Sequence, residues 1–253
     1  MLVDVGDLTC RHLGGSAMCD SYGQALRSAF LASPPIYATT GFADHYRKRA
    51  RDRSWFASLL VSDCDLEGYS AGQLARYASE VGDERFACGL IAHAADEARH
   101  SRIFASLLVG VFPQLEDTAL REKLAGMAPR LKSRGYGSTV GFGAVDEGLL
   151  SSAILINLHE VKALVLEHLL RPLALAHAPE ANRGKIGRQL QVLIEDEVQH
   201  IRYSAEYIRH AAASGWDAAI TEMMAEYQAL MNEVTEQEIE TGACDPLVAD
   251  ALS

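Results

Sequence analysis

Two short motifs in the chain carry the residue types of a metal site. Residues 96–100 read Asp-Glu-Ala-Arg-His and residues 196–200 read Asp-Glu-Val-Gln-His, 100 positions apart without a gap. In each motif a Glu precedes a His by three residues, so on an α-helix the carboxylate and the imidazole lie on one face. Both groups bind transition metals, and two side chains on one face can reach the same ion. The repeated pair therefore predicts metal chemistry.

The apolar pattern around the motifs predicts that these side chains point into a helical bundle. Phe86, Leu90 and Phe104 share a helical stripe with the first motif, and the second motif lies in a similar stripe. The preceding helices carry further inward carboxylates: Glu67 in the first half and Glu160 or Glu167 in the second. Burying four carboxylates without a cation is strongly unfavourable, and a metal pair removes that cost. Carboxylates with one imidazole per metal favour iron or manganese over zinc.

The elements that would position these residues are helices. Strand-like alternation is nearly absent, and the 3.6-residue periodicity predicts helices over 20–31, 52–81, 84–111, 116–132, 146–177, 183–213 and 216–240. Residues 133–143 contain four Gly in eleven positions and form the clearest loop. We therefore predict an all-α protein with one domain over 1–253. Its bundle core spans about 53–210, with an N-terminal extension over 1–50 and a C-terminal helix over about 216–240.

With one upstream Glu for each motif, the chain resembles the ferritin-like di-iron carboxylate oxidases and oxygenases over roughly 53–210. The first motif looks like the Asp-Glu-x-Arg-His form found in bacterial multicomponent monooxygenases and soluble acyl-carrier desaturases. The resemblance implies a ferritin-like four-helix bundle with flanking helices. It also implies that Asp96 and Asp196 accept hydrogen bonds from the ligand histidines. The metal ligands and catalytic residues that it implies are Glu67, Glu97 and His100 for one iron and Glu167, Glu197 and His200 for the other.

Two assignments stay open. The 100-residue repeat aligns Glu167 with Glu67 and so favours Glu167 over Glu160, which aligns with Leu60. Glu160 remains the alternative or an additional ligand. His93 lies one turn before Glu97, in a pattern similar to the extra-histidine motif of di-iron arylamine N-oxygenases, and we expect it to support or line the site.

The reaction implied by the resemblance is the oxidation of a small organic substrate with dioxygen at two irons. Hydroxylation, N-oxygenation, desaturation and oxidative cleavage all fit, and Mn/Fe or Mn/Mn centres are alternatives to Fe/Fe. Ser204 stands where the first half has Phe104, and we expect it to leave room for the substrate. The alternative function is a ferritin-like metal protein without oxygenase activity, such as a ferroxidase or iron store, a manganese catalase or a structural bundle.

Charge and composition limit the partners. The net charge is -11, with 23 Lys and Arg against 34 Asp and Glu, which disfavours nucleic acid and membrane surfaces. We expect no stretch that approaches bilayer length and no secretion signal, and so predict a cytoplasmic protein. The substrate is expected to be a small molecule, free or carrier-bound. The chain has no flavin or iron–sulfur motif of its own, so we expect an external electron donor, and a homodimer is the default assembly.

Overall fold

The computed structural model describes residues 5–13, 21–116, 119–127 and 129–241, and helices dominate these ranges. The predicted all-α helical bundle is confirmed. The predicted ends of the four long bundle helices agree with the structure within one residue, with one exception. The helix predicted over 183–213 begins at Glu180, three residues before its predicted start. Of the helix predicted over 116–132, the described residues form a helix only over Ala119–Ala125, and residues 129–132 are not helical; residues 117, 118 and 128 lie outside the described residues. The helices are α1 Val5–His12, α2 Ser21–Ala32, α3 Thr40–Arg49, α4 Arg53–Glu80, α5 Glu84–Val111, α6 Ala119–Ala125, α7 Glu147–His177, α8 Glu180–Ala213 and α9 Asp217–Thr241.

Two helical hairpins form the bundle. Residues 81–83 join α4 to α5, and Ala178 and Pro179 join α7 to α8. α5 packs against α8, which brings the two motif helices together, whereas α9 lies across α2 and α7. The bundle is therefore built from the two halves that the sequence repeat predicts.

The starts of the bundle helices explain their boundaries. Asp52, Asp83 and Asp146 precede α4, α5 and α7, and each accepts a hydrogen bond from a backbone amide of the first turn, at 2.8–3.2 Å. α8 has no such cap, and its N-cap is Pro179, whose backbone is extended and whose ring nitrogen carries no hydrogen that would need a partner. The short connection sets how α7 and α8 face each other.

The apolar core consists of two clusters, one on each side of the motifs. One cluster contains Phe86 and Leu90 of α5, and the other contains Phe104 and Leu107 of the same helix. On the inner face of α8, Leu193 belongs to the second cluster and Tyr207 to the first, and Glu197 and His200 lie between them. The polar residues of the motifs therefore lie between two apolar layers.

One helix is more apolar than expected. By length and mean hydropathy, α7 could cross a membrane, and it is the only described helix that qualifies. The expectation that no stretch would approach bilayer length is thus corrected. Half of the most apolar window of α7 is buried in the bundle, and the helix carries Glu160, Lys162 and Glu167. An apolar core helix satisfies the same criteria of length and composition.

Candidate metal centre

The two motifs meet at the centre of the bundle. Glu197 lies between the imidazoles, with Oε1 3.4 Å from His100 Nδ1 and Oε2 3.0 Å from His200 Nδ1. Glu97 Oε1 is likewise 3.7 Å from His100 Nδ1 and 3.6 Å from His200 Nδ1. Both carboxylates are buried, and neither imidazole is exposed. The predicted pairing of the motifs is present, with each carboxylate shared between the two histidines.

A first cluster of ligand-type atoms forms around His100. One donor atom from each of Glu67, Glu97 and His100 lies within 4.8 Å of the other two. The Nδ1 atom of His100 is buried without a hydrogen-bond partner, although Glu67 Oε2 is only 3.7 Å away. Such distances are too long for a hydrogen bond but ordinary for two ligands of one ion with bonds of about 2.0–2.2 Å. This cluster could hold a metal ion.

A second cluster adjoins the first and contains two imidazoles. It comprises His93, Glu97, Glu160 and His200. His93 Nε2 lies 3.1 Å from Glu97 Oε1 and 3.3 Å from Glu160 Oε1, and His200 Nδ1 lies 3.4 Å from Glu160 Oε2. Glu97 is a member of both clusters. His93, expected to support or line the site, is thus placed among the candidate ligands.

The structure places Glu160, the alternative ligand, in the second cluster and leaves the favoured Glu167 outside both clusters. The turn explains this. In an antiparallel hairpin, residues at equal distances from the turn face each other. Gly82 lies midway between Glu67 and Glu97, and the Ala178–Pro179 link lies midway between Glu160 and Glu197. The repeat therefore holds for the two motifs but not for the helices before them.

Glu167 lies two turns from Glu160, near the first cluster. Its side chain is buried, with 7% of the residue exposed, and its Oε2 atom has no hydrogen-bond partner. Burial, followed by the charges of Glu197 and Asp63, raises the pKa of Glu167 well above its usual value. Glu167 therefore holds its proton more tightly than an ordinary glutamate beside the cluster.

The two motif aspartates lie behind the histidines, each behind the histidine of the other motif. Asp196 Oδ2 is 3.1 Å from His100 Nε2, within hydrogen-bond distance, and Asp96 Oδ2 is 3.6 Å from His200 Nε2. Asp196 therefore takes the predicted position of a hydrogen-bond acceptor, but for the histidine of the other motif, whereas His200 Nε2 has no hydrogen-bond partner and Asp96 stays too far from it. An acceptor at Nε2 keeps the proton there and leaves Nδ1 free to bind a metal.

Three further side chains complete the surroundings. Arg99 contacts both motif aspartates, with Nη2 2.7 Å from Asp96 Oδ1. The Tyr136 hydroxyl donates to Asp96 at 2.8 Å, and the Tyr203 hydroxyl lies 3.0 Å from His93 Nδ1. Arg99 was visible within the first motif. Tyr136 carries no sequence signal, because it stands in the Gly-rich loop, far from the motifs along the chain.

Burial and neighbouring charges hold protons on the carboxylates and imidazoles of the centre. Burial, followed by the charge of Glu67, raises the pKa of Glu97 well above its usual value, and burial raises that of Glu197 to about 8 despite His200. Burial opposes a charge on His100, but Asp196 and Glu67 outweigh it and raise its pKa to about 10. Burial and the charge of His200 lower the pKa of His93 to about 4. Metal binding must therefore release protons.

Ser204 does not provide the expected space. Its side chain is fully buried, and its Oγ accepts a hydrogen bond from Asn157 Nδ2 at 2.9 Å. Asn157 in turn accepts one from the Tyr22 hydroxyl at 2.9 Å. The volume freed by a small residue is therefore filled from α7 and α2.

No protein-family model, curated protein or solved structure matches the chain. The functional argument therefore rests on the residues of this chain: buried His and Glu groups, in two clusters joined at Glu97, that could hold metal.

Proposed function

We propose that the protein is a di-metal carboxylate oxidase or oxygenase, with iron in both positions, that uses dioxygen to oxidise a small organic substrate. The single observation that carries the proposal is the shared position of Glu97 in two adjoining buried clusters. A carboxylate that serves two ions is the central element of a dinuclear site. The resemblance in motif spacing supports the same proposal.

The residues present fit a pair of iron or manganese ions. The donor atoms are carboxylate oxygens and imidazole nitrogens, and the clusters contain no thiolate. The buried, unpaired Nδ1 of His100 is the independent structural sign, because a buried polar atom without a partner is rare in proteins. When bound, a pair of ferrous ions supplies the electrons that reduce dioxygen and the oxidising power that acts on the substrate.

The protein's own groups set the geometry of the centre. Glu97 and Glu197 each lie between both imidazoles, so either carboxylate would be a ligand available to both positions. Asp196 accepts from His100 Nε2, and Arg99 holds both motif aspartates in place. The contact with Asp196 fixes the His100 ring before any ligand arrives, which lowers the cost of reorganisation.

Apolar and aromatic side chains cover the two motif histidines on two sides. Leu193 and Phe104 are buried on one side, and Phe86 packs against Tyr203 on the other, with ring centroids 5.5 Å apart. A water-poor site protects reactive oxidants from quenching and strengthens electrostatic interactions. Such an enclosure favours chemistry on a substrate over storage of many ions.

A purely structural polar network fits less well. Buried polar networks that stabilise a core are normally satisfied, because an unpaired buried group costs free energy. Here His100 Nδ1 and Glu167 Oε2 are both buried without hydrogen-bond partners. Unpaired atoms concentrated at one site support a bound cation rather than a stabilising network.

The test has two stages, and the first measures metal. The apoprotein is loaded with ferrous iron without oxygen, desalted and analysed for iron per chain. We expect about two irons in the parent and almost none in the Glu97→Ala/Glu197→Ala variant. Glu195→Ala is the matched control, because Glu195 is exposed on the same helix and should leave binding unchanged.

The second stage measures chemistry. The loaded protein is exposed to dioxygen with a panel of amines, fatty acyl compounds and aromatic acids, and oxidised products are sought by mass spectrometry. Product formation that needs both irons supports the proposal. Rapid ferrous oxidation without any organic product would instead favour a ferroxidase.

A further inference from the structure

The walls of the candidate metal centre differ in how far they are open. The side chains of Glu67 on α4 and Glu160 on α7 are 19% and 13% exposed. Those of Glu97 on α5 and Glu197 on α8 are 8% and 4% exposed. On the α5 and α8 side, Arg99 and the two motif aspartates cover the histidines. The accessible carboxylates are thus the two that come from α4 and α7.

A groove runs between α4 and α7 and passes these two carboxylates. α5 packs against α4 and α8, and α8 packs against α7, but the packing of α4 against α7 is sparse. At spacings of three and four residues, the helix faces of Glu67 and Glu160 continue into a row of partly buried side chains. This row, which defines the α4/α7 groove, consists of Ser70, Leu74 and Tyr77 on α4 and of Ser152 and Ile156 on α7.

A cavity of about 680 Å³ lies at one end of the α4/α7 groove. Tyr77 and Ser152 line the cavity and also belong to the row, so the cavity opens onto the groove. At 1.5 Å per residue along their helices, Tyr77 lies about 15 Å from Glu67, and Ser152 lies about 12 Å from Glu160. A molecule that fills both the cavity and the groove must therefore be elongated.

The lining of the cavity selects the charge of such a molecule. Glu80, Asp83 and Asp146 contribute carboxylates, and no Lys or Arg is among the described residues that line the cavity. A carboxylate or phosphate end group would be repelled there, whereas a protonated amine would be attracted. Leu74 and Ile156 make the groove itself apolar, which suits an alkyl chain.

We propose that the α4/α7 groove is the substrate passage of the dinuclear centre and that it takes an elongated alkyl amine. The amine lies in the acidic cavity, and the far end of the chain lies beside Glu67 and Glu160. This inference rests on the proposed function and names its substrate class. Because the amine is held about 12–15 Å from the two carboxylates, the length of the chain decides which carbon reaches the centre. Ser204 leaves no room for a substrate, and the groove supplies that room on another side.

The experiment uses the full chain loaded with Mn²⁺ and compares n-decylamine, n-decanoate and n-propylamine as probes. Isothermal titration calorimetry measures the affinity of each probe, and electron paramagnetic resonance shows whether the two ions form a spin-coupled pair. We expect one n-decylamine per chain, bound at least about tenfold more tightly than n-decanoate, because the cavity repels the anion. The longer chain should make n-decylamine bind at least about a hundredfold more tightly than n-propylamine.

Two variants narrow the groove from opposite walls. Ser70→Phe on α4 and Ile156→Trp on α7 should each weaken the binding of n-decylamine at least about tenfold and keep the coupled pair. Ser62→Phe is the matched control, because Ser62 is exposed on α4 outside the row and should leave binding as in the parent. Circular dichroism and the count of bound Mn²⁺ establish that each variant is folded and loaded.

The other outcomes overturn the inference at separate points. Equal affinity for n-decanoate would refute the amine class, and equal affinity for n-propylamine would refute the elongated shape. Parent-like binding of n-decylamine in both narrowed variants would place the ligand outside the groove. A coupled pair in a parent that does not bind n-decylamine would refute the passage and leave the proposed function standing. A parent without any coupled pair would refute the proposed function, and with it the substrate role of the groove.

Discussion

Replacing Glu160 with Gln should remove one ion from the dinuclear centre. Its Oε1 lies 3.3 Å from His93 Nε2 and its Oε2 lies 3.4 Å from His200 Nδ1, so it faces both imidazoles of the second cluster. Burial opposes its ionisation, but His93 and His200 outweigh burial and lower the pKa of Glu160 well below its usual value. Glu160 is therefore an anionic ligand in place before the metal binds.

The expected magnitude follows from the loss of that buried charge. Removing one partner of a buried charged group costs about 3–5 kcal/mol, which corresponds to a fall in affinity of more than about a hundredfold. Titration with Mn²⁺ should show that Glu160→Gln binds a single tight ion and gives no spin-coupled signal. Glu147→Gln is the matched control, since Glu147 is exposed at the start of the same helix.

The comparison with Glu167→Gln makes this prediction decisive. Both residues lie on α7 two turns apart, and both substitutions remove one carboxylate from the same face. If Glu160→Gln kept the coupled pair and Glu167→Gln lost it, the hairpin argument would be refuted and the alignment of the repeat would be right. Loss of the pair only in Glu160→Gln supports the geometry described here.

Three further predictions concern the surroundings of the centre. Tyr136→Phe removes a hydrogen bond to the Asp96 carboxylate and should lower the free energy of unfolding in urea by about 1.5 kcal/mol; an unchanged midpoint would contradict that contact. The pKa of Glu197 is about 8, so binding of Fe²⁺ must displace its proton at lower pH. The affinity for Fe²⁺, measured by competitive titration, should therefore rise about tenfold per pH unit for each proton released, up to about pH 8. A flat profile from pH 6 to 8 would refute proton release. In Gly89→Ala the new Cβ would lie 2.5 Å from Tyr203 Cδ2, so the ring must move away from His93. The free energy of unfolding should fall by about 1–3 kcal/mol. Gly72→Ala is the control, because a Cβ at Gly72 would meet open space.

The sequence was sufficient for the fold class and for the two motifs, because both depend on local periodicity. Residues three and four apart share a helix face whatever the tertiary structure, so the inward placement of Glu97 and His100 followed from their apolar neighbours. The same reasoning located Glu67. Its distance from the turn could be judged, since Gly82 and Asp83 mark the end of α4 and the start of α5 clearly.

The choice between Glu160 and Glu167 depended on a turn that the sequence marks poorly. α8 begins at Glu180 rather than near Arg183, and moving a hairpin turn by one residue changes the facing position by two. Tyr136 and Tyr203 show a second limit. Their hydroxyl contacts with Asp96 and His93 link positions 40 and 110 residues apart, and neither periodicity nor spacing carries that information.

The most direct test of the dinuclear centre is a crystal structure of the protein loaded with Mn²⁺, with anomalous difference maps. We predict two strong peaks about 3.5–4 Å apart, one beside Glu67 and His100 and the other beside Glu160 and His200, with Glu97 between them. A single peak at that position, or none inside the bundle at saturating metal, would contradict the account.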